Sequence, residues 1–239
     1  MLIFAISSKE LARQVAPRRA MRADVPDDGS VRRHRSRDER APLSDDAPLG
    51  AGLRFFGDGW QISKVLDGTR YWRVPVMDGE FVCEDFTATM KAVGGGNLLL
   101  LARDLDSALD AAEAAVAAMH RLPNIITPFP GGVVRSGSKI GSKYASATAS
   151  TNDAFCPTLV GLLKKSELTA DVACVLEIVI DGLTDADVGA AMTAGIAAAT
   201  NLGRASGVLR ISAGNYGGKL GPYHFRLHEL SQGIDGSRA

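Results

Sequence analysis

The feature that most constrains the fold is a short apolar run followed by an alanine-rich segment, a pairing that occurs twice. In the first copy, "GNLLLLARD" (96–104) precedes "LDSALDAAEAAVAAMHRL" (105–122), with Pro123 just past the end. In the second, "ACVLEIVIDGL" (173–183) precedes "TDADVGAAMTAGIAAATN" (184–201). Short β-branched or leucine runs indicate buried strands, and long alanine-rich segments with polar starts indicate helices. Each copy is therefore predicted to be a strand followed by a helix.

Further strand material lies between and after the two copies, at 124–137, 207–215 and 222–230. The resulting order is β, α, β, β, α, β with one extra strand at the end, which is the ferredoxin-like or split βαβ pattern. We therefore predict an α+β fold in which two helices cover one face of an antiparallel sheet. This lobe is predicted to span residues 78–239.

The front of the chain has a different character. Residues 16–40 carry eight arginines and five acids with almost no periodic apolar residues, so 16–47 is predicted to be disordered. After it, "GLRFFGDGWQI" and "TRYWRVPVM" predict short strands around turns. We interpret residues 1–77 as the remnant of an N-terminal lobe, whose packing aromatics are predicted to be Phe55, Trp60, Tyr71 and Trp72.

The overall charge and the cysteines exclude several classes of protein. With 27 basic and 27 acidic residues the formal net charge is zero, which argues against non-specific binding to nucleic acid or to a membrane surface. The three cysteines are far apart, so neither a zinc site nor a disulfide framework is indicated. No apolar run approaches the roughly 18 residues of a membrane span, and we read no signal peptide. We expect a cytoplasmic protein without a metal.

One stretch concentrates positive charge on small residues: "RSGSKIGSKY" (135–144). Small residues let the backbone approach a ligand, and exposed N–H groups beside cations can form an anion site. The stretch is not a P-loop, because both lysines follow a serine. A solvated mobile loop is the alternative interpretation. The candidate substrate-binding residues here are Arg135, Ser136, Lys139, Ser142 and Lys143.

Two neighbouring patterns add polar candidates. In "STNDAF", Asn152 and Asp153 offer amide and carboxylate groups that can orient polar ligand atoms. The glycine turn at 94–97 places Gly95 and Asn97 where a backbone can approach a ligand. The same turn is equally consistent with a tight entry into the next strand.

Glu177 interrupts the apolar strand "CVLEIVI". In a half-buried strand a single acid most often points to solvent. If it instead faces a cleft, desolvation favours its neutral form and makes it a candidate proton donor. Alternation places Val175, Glu177 and Val179 on one face, which is then either an exposed sheet surface or a dry pocket containing an acid. His120, His224 and His228 have no partners at a spacing that indicates a catalytic triad.

Seven stretches, in order along the chain, resemble the bacterial formylmethanofuran:tetrahydromethanopterin formyltransferases. They are "LRFFGDGWQ", "RYWRVPVMDGEF", "GGGN", "PFPGGVVRSGSKIGSKY", "ASTNDAFCPT", "LEIVIDGL" and "RISAGNYGGKLGPYHFRLHEL", and they span about Pro48 to Leu230. The resemblance implies two ferredoxin-like lobes, a homotetramer, and no metal or prosthetic group. It also implies transfer of a formyl group between methanofuran and N5 of tetrahydromethanopterin, within one-carbon metabolism.

The resemblance also implies roles for particular residues. Glu177 matches the glutamate that is the proposed acid of the family. Because both carriers are anionic, Arg135, Lys139 and Lys143 would line a carrier-binding wall. In bacteria the implied partners are the other subunits of a formyltransferase/hydrolase complex.

The chain departs from the family at its front. The resemblance implies a further segment of the first lobe before Met1, and residues 17–40 do not look like the family. Read one base downstream, the codons for residues 21–28 permit Cys-Val-Leu-Thr-Cys-Pro-Thr-Thr, which is similar to family sequences at this place. Our hypothesis is that the reading frame shifts near Pro17 and returns to the original frame before Pro48. Resequencing of the locus tests this hypothesis.

Two other functions remain open from the sequence. The first is an inactive subunit that binds carriers or scaffolds the complex without turnover. The second is a regulatory ferredoxin-like module that binds a small anion. An assay for formyl transfer separates the enzyme from both.

Overall fold

The structure is a computed structural model that describes residues 3–5, 9–11, 13–14, 46–136, 153–214 and 222–235. Contacts divide the described chain into two compact units, one ending at Lys91 and one beginning at Ala92. Most of the segment predicted to be disordered, and the region of the frameshift hypothesis, lie outside the described residues. Asp46 and Ala47, the last two residues of that segment, belong to a strand.

The first unit consists of short strands and helical turns. Strands β1 (Asp46–Pro48) and β5 (Phe86–Ala88) pair with each other, and β2 (Ile62–Leu66), β3 (Thr69–Val76) and β4 (Gly79–Glu84) form an antiparallel meander. Between β1 and β2 lies helix α1 (Gly50–Leu53), followed by a 3-10 turn at Arg54–Gly57. Because β4 and β5 pair with strands before them, this unit extends beyond residue 77, where the sequence predicts a lobe boundary.

Two expectations for this unit are wrong. The start of "GLRFFGDGWQI" is helical rather than a strand, since Leu49 and Asp58 bracket two consecutive helical turns. Phe55 is 67% exposed and Trp60 81% exposed, so neither packs in the unit's interior. Trp72 does pack there, against the cluster of Leu49, Leu53 and Cys83, and its indole Nε1 donates to Asp85 Oδ1 at 2.7 Å.

The second unit is a sheet with two long helices. Its strands are β6 (Val93–Ala102), β7 (Ile125–Ile126), β8 (Val134–Arg135), β9 (Cys174–Gly182) and β10 (Val208–Ser212), and its long helices are α2 (Leu105–Met119) and α3 (Asp185–Asn201). The sheet runs β10-β6-β9-β7, with β8 also paired to β9, and every pairing is antiparallel. The predicted βαββαβ order and α+β class are confirmed.

Both long helices begin at side-chain caps that the sequence provides. Asp104 Oδ1 accepts from Ser107 N at 2.8 Å at the start of α2. Thr184 and Asp187 form a reciprocal capping box at the start of α3. These caps satisfy backbone donors that the first helical turn leaves unpaired, so each helix starts immediately after its strand.

The two helices lie on the same face of the sheet. Alternate strand residues such as Leu98 and Leu100 of β6 and Ile178 and Ile180 of β9 are fully buried against alanines of the helices. A Cβ added at Gly195 of α3 would overlap Met119 Cε, which shows how closely α3 approaches α2. The helix face of the central strands is therefore a closed core.

The opposite face carries the other half of each central strand. Leu99, Leu101, Val172 and Val175 form a separate buried cluster there, with Phe155, Leu168 and Leu209 packed against it. The segment 153–173, which includes two 3-10 turns, contributes the covering residues. This face is buried at one end, where the described part of the chain covers it with 3-10 turns and irregular backbone.

The extra strand predicted at 222–230 is wrong. Residues 222–226 have no regular structure, and helix α4 runs from Leu227 to Asp235. "HFRLH" fits a period of two, but Leu227 and Leu230 are three residues apart, and both pack against the helix-face core. Their spacing places them on one side of a helix, and this packing outweighs the alternation.

Candidate functional site

The buried acid of the second unit is Glu177, in the middle of β9. It pairs with Leu99 of β6 on one side and with Val134 of β8 on the other. Its side chain is 1% exposed, and it shares the face of Val175, which is also buried. Of the two interpretations left open by the sequence, the dry pocket containing an acid is the one that the structure has.

Asn97 joins this acid to two other segments. It lies inside β6, not in a turn, and is 5% exposed. Its Nδ2 donates to Glu177 Oε1 at 2.9 Å. Its Oδ1 accepts from the backbone N–H of Gly214, two residues past the end of β10, at 3.0 Å. Hydrogen bonds of this length between buried groups offset much of the cost of removing them from water.

A cavity of about 500 Å³ lies beside Asn97. Both Gly95 and Asn97 line it, together with Gly214. Its remaining walls come from the start of β6, from Met192 of α3 and from the segment before α4, whose polar members are Tyr223, His224 and Arg226. Concave sites of this size with a few convergent polar groups are where small ligands bind. The cavity and the buried acid share Asn97 as a common wall residue.

The glycines at the start of β6 are in close contact with Asp181 and Val188. Gly95 has φ +88°, which favours glycine, and its N–H donates to Asp181 Oδ1 at 3.0 Å. Burial raises the pKa of the Asp181 carboxyl, while the Gly95 N–H opposes this rise. At Gly96 an added Cβ would overlap Val188 Cγ1. The positive φ of Gly95 and the close contact at Gly96 explain why both residues are glycines. Because of these glycines, one wall of the cavity has no side chains.

Arg135 and Ser136 lie at the edge of the same sheet but not on the same side. Ser136 is buried, and its N–H donates to Val175 O at 3.1 Å. Arg135 pairs with Leu176, a helix-face residue. Its charge acts on Cys174, where burial raises the pKa of the thiol and Arg135 opposes that rise. By register, the structure brings Ser136 to the Glu177 face and Arg135 to the other.

Of the remaining candidates, the structure describes only Asp153. Asp153 Oδ1 accepts from Ala154 N at 3.0 Å at the start of a 3-10 turn, so its side chain serves the local backbone. Lys139, Ser142, Lys143 and Asn152 lie outside the described residues. The sequence did not single out the cavity residues Gly214, Tyr223 and Arg226; the nearest signal is the glycine-rich "SAGNYGGKLGPYH" (212–224), which contains the first two and ends shortly before Arg226.

Neither a metal centre nor a membrane span is found where the structure can be read. Within the described ranges, no group of three or more His, Cys, Asp or Glu side chains is arranged to hold a metal ion. A search of the same residues finds no helix with the length and apolarity needed to cross a bilayer.

This lobe matches the family model described as "FTR, proximal lobe" over residues 79–230, which places it in the class of lobed formyltransferases. A formylmethanofuran–tetrahydromethanopterin formyltransferase from Methylobacillus flagellatus is 58% identical over 229 residues, covering 96% of this chain and 75% of that protein. The chain belongs to the formylmethanofuran–tetrahydromethanopterin formyltransferase family.

Other relatives agree with this assignment. A protein of Methylorubrum extorquens that is named as part of a formyltransferase/hydrolase complex is 50% identical over 188 residues, covering 76% of this chain and 60% of that protein. The solved complex from that organism, with methylofuran bound, superimposes with a TM-score of 0.70 at 49% identity, covering 80% of this chain and 63% of the other. The formyltransferase of Methanosarcina barkeri gives a TM-score of 0.69 at 43% identity, covering 79% and 63%. The chain spans 60% to 75% of the length of these relatives.

Proposed function

We propose that this protein transfers a formyl group between formylmethanofuran and N5 of tetrahydromethanopterin, and that it does so in bacterial formaldehyde oxidation. Family membership supports the reaction, since a relative that is 58% identical to this chain carries that name. The observation that carries the proposal is Glu177, an acid almost wholly excluded from solvent on a central strand, whose hydrogen-bond partner Asn97 lines a cavity of about 500 Å³. Both carriers are substrates in this scheme, and no prosthetic group takes part.

The chemistry requires one acid and a dry place to use it. The N5 amine of the pterin attacks the formyl carbon, the carbonyl oxygen gains negative charge, and a tetrahedral intermediate forms. The carbon–nitrogen bond to methanofuran then breaks, and its amine leaves with a proton while N5 loses one. Glu177 in its acid form donates a hydrogen bond or a proton as this charge develops. Holding both carriers together removes most of the entropic cost of their encounter.

Carrier recognition is proposed to involve the cationic stretch that follows β8. Lys139 and Lys143 would face the anionic groups of a carrier, and Arg135, which precedes them in the sequence, would extend that wall. Ser136, Ser142 and the pair Asn152 and Asp153 complete the proposed set. Gly95 and Asn97 contribute through the cavity wall that they share.

The assembly and location are also proposals. The Methylorubrum extorquens relative that is named as part of a complex supports assembly with the other subunits of a formyltransferase/hydrolase complex. We propose the cytoplasm as the location, as expected from the sequence. A homotetramer is proposed within that assembly. A lobe boundary at 77/78, with residues 1–77 and 78–239 as the two lobes, remains a proposal: the start of the family-model match at residue 79 supports it, whereas the compact units of the structure divide after Lys91.

Glu177→Gln tests the proposed acid, because it keeps the shape and removes the ionisable proton. We expect kcat for formyl transfer to fall by roughly 10²-fold or more, the usual contribution of a general acid, with carrier binding retained. The matched control is Glu167→Gln, whose side chain is exposed and pairs with Lys165 at 3.2 Å. Steady-state transfer rates and calorimetric binding of each carrier are the measurements. Wild-type turnover in Glu177→Gln would remove this residue from the mechanism.

A second function is favoured by one observation, the relative whose name places it in a multi-subunit complex. In this second function the chain binds carriers or scaffolds the complex without turnover. Purified wild-type chain that binds both carriers but shows no transfer, alone and with the other subunits added, would establish this function and refute the first.

A further inference from the structure

The Glu177–Asn97 pair connects three separate parts of the second unit. Glu177 lies opposite Leu99, so Asn97 is its diagonal neighbour two residues along β6. Side chains of medium length bridge such diagonal positions across a sheet. Gly214 comes from a third segment, after β10, and donates its N–H to the same carboxamide. A single buried amide thus joins two central strands and one wall of the cavity.

The orientation of this amide follows from its partners. A backbone N–H can only donate, so the atom of Asn97 that faces Gly214 at 3.0 Å must be the carbonyl oxygen. The amino group is then the atom that faces Glu177 Oε1, at 2.9 Å. The reverse orientation would place two donors against each other at Gly214. Both hydrogen bonds therefore run in the same direction: Gly214 donates to Asn97, and Asn97 donates to Glu177.

This direction determines which oxygen of the acid carries its proton. The amino group of Asn97 needs an acceptor, and in a protonated carboxyl the carbonyl oxygen is the stronger acceptor of the two. Oε1 is thus the carbonyl-like oxygen, and the acid proton belongs on Oε2. Both ends of the carboxamide are engaged within the protein at distances typical of hydrogen bonds.

We propose that Asn97 is a positioning residue for Glu177: anchored by the N–H of Gly214, it fixes the rotamer of the carboxyl and directs the transferable proton to Oε2. The inference rests on the proposed function, because fixing the carboxyl affects catalysis only if Glu177 is the acid. It also revises the sequence-based expectation that Asn97 binds substrate directly. Since Gly214 and Asn97 both line the cavity, a carrier bound there lies next to the chain of bonds that holds the acid.

The first measurement separates positioning from carrier binding. Asn97→Ala removes both bonds, and Asn97→Asp keeps an acceptor for Gly214 while replacing the donor to Oε1 by an acceptor. Both variants are expected to lower kcat roughly 10- to 100-fold, because a misplaced catalytic group costs about 10²-fold, with KM changed less than about 3-fold. The control is Asn201→Asp, the same substitution at the exposed end of α3. An increase in KM with kcat unchanged would overturn the proposal.

The second measurement is a double-mutant cycle with Glu177→Gln. If Asn97 acts through Glu177, Asn97→Asp in the Glu177→Gln background changes kcat less than about 2-fold. A multiplied loss would show that Asn97 acts independently of the acid, and would overturn the inference. Circular dichroism melts of every variant identify any that fail to fold, and the near-isosteric Asp variant keeps the test available if the Ala variant does. Full kcat in Glu177→Gln alone would instead refute the proposed acid, which separates the two failures.

Discussion

Helix α3 offers a matched pair of glycines that tests how tightly the lobe beneath the acid is packed. At Gly195 an added Cβ would overlap Met119 Cε and lie 3.2 Å from Leu98 Cδ1, and both of these side chains are fully buried. At Gly189 the nearest atom to an added Cβ is Leu230 Cδ2 at 3.7 Å, which is ordinary contact. The two positions share one helix, so they differ mainly in the space available.

The expected magnitudes follow from two opposing effects. Replacing glycine by alanine inside a helix stabilises by about 1 kcal/mol, whereas overpacking a core costs about 1–3 kcal/mol. Gly189→Ala is expected to gain stability by about 1 kcal/mol. Gly195→Ala combines both terms, so its free energy of unfolding should lie about 1–3 kcal/mol below that of Gly189→Ala.

Urea denaturation followed by far-ultraviolet circular dichroism is the assay. Tryptophan fluorescence would report on the wrong unit, since Trp60 and Trp72 both belong to the first and the two long helices to the second. With a slope of about 2 kcal/mol per molar urea, the two midpoints should be separated by roughly 0.5–1.5 M. Equal midpoints, or a more stable Gly195→Ala, would refute the claim that α2 and α3 are in contact too close for a methyl group.

Two further predictions concern charge and capping. Thr184→Ala should cost about 0.5–2 kcal/mol of stability, because it removes the bond to Asp187 N at 3.1 Å. Thr184 holds the pKa of Asp187 below its ordinary value, a contribution that is present above the unfolded pKa and lost as pH falls, so this cost should shrink in acid melts. Asp181→Asn keeps an acceptor for Gly95 and should stabilise the protein at pH 7, because burial raises the pKa of the native carboxyl. That gain should disappear below about pH 4, where Asp181 is protonated in both states.

The second unit could be predicted from the sequence because its local signals agree with its packing. The apolar runs around Leu98–Leu101 and Ile178–Ile180 predict strands that are buried in a sheet. The capping residues Asp104 and Thr184 mark where the two long helices begin. Local preference and tertiary contact point to the same elements here, so pattern alone was sufficient.

The sequence was insufficient for prediction where tertiary contacts decide between two local patterns. At 224–228 the alternation was real, but packing of Leu227 and Leu230 against the core selected a helix. For Glu177 the alternation predicted its face but not its exposure, since that depends on what covers the far side of the sheet. For Asn97 the glycines before it suggested a turn, and the partner 117 residues away, Gly214, has no local signal.

The division between central strands and surrounding loops has a consequence for how such a protein changes over time. The acid and its amide sit on β9 and β6, each bonded to neighbours on both sides, whereas the cavity is bounded by the irregular start of β6 at 94–95 and by loop backbone at 213–214 and 222–226. Substitutions at 222–226 alter what the cavity accepts and leave intact the bonds from Gly214 through Asn97 to Glu177. Catalytic activity and carrier selectivity can therefore change separately in this lobe. A variant adapted to a carrier with different substituents can keep the same proton donor.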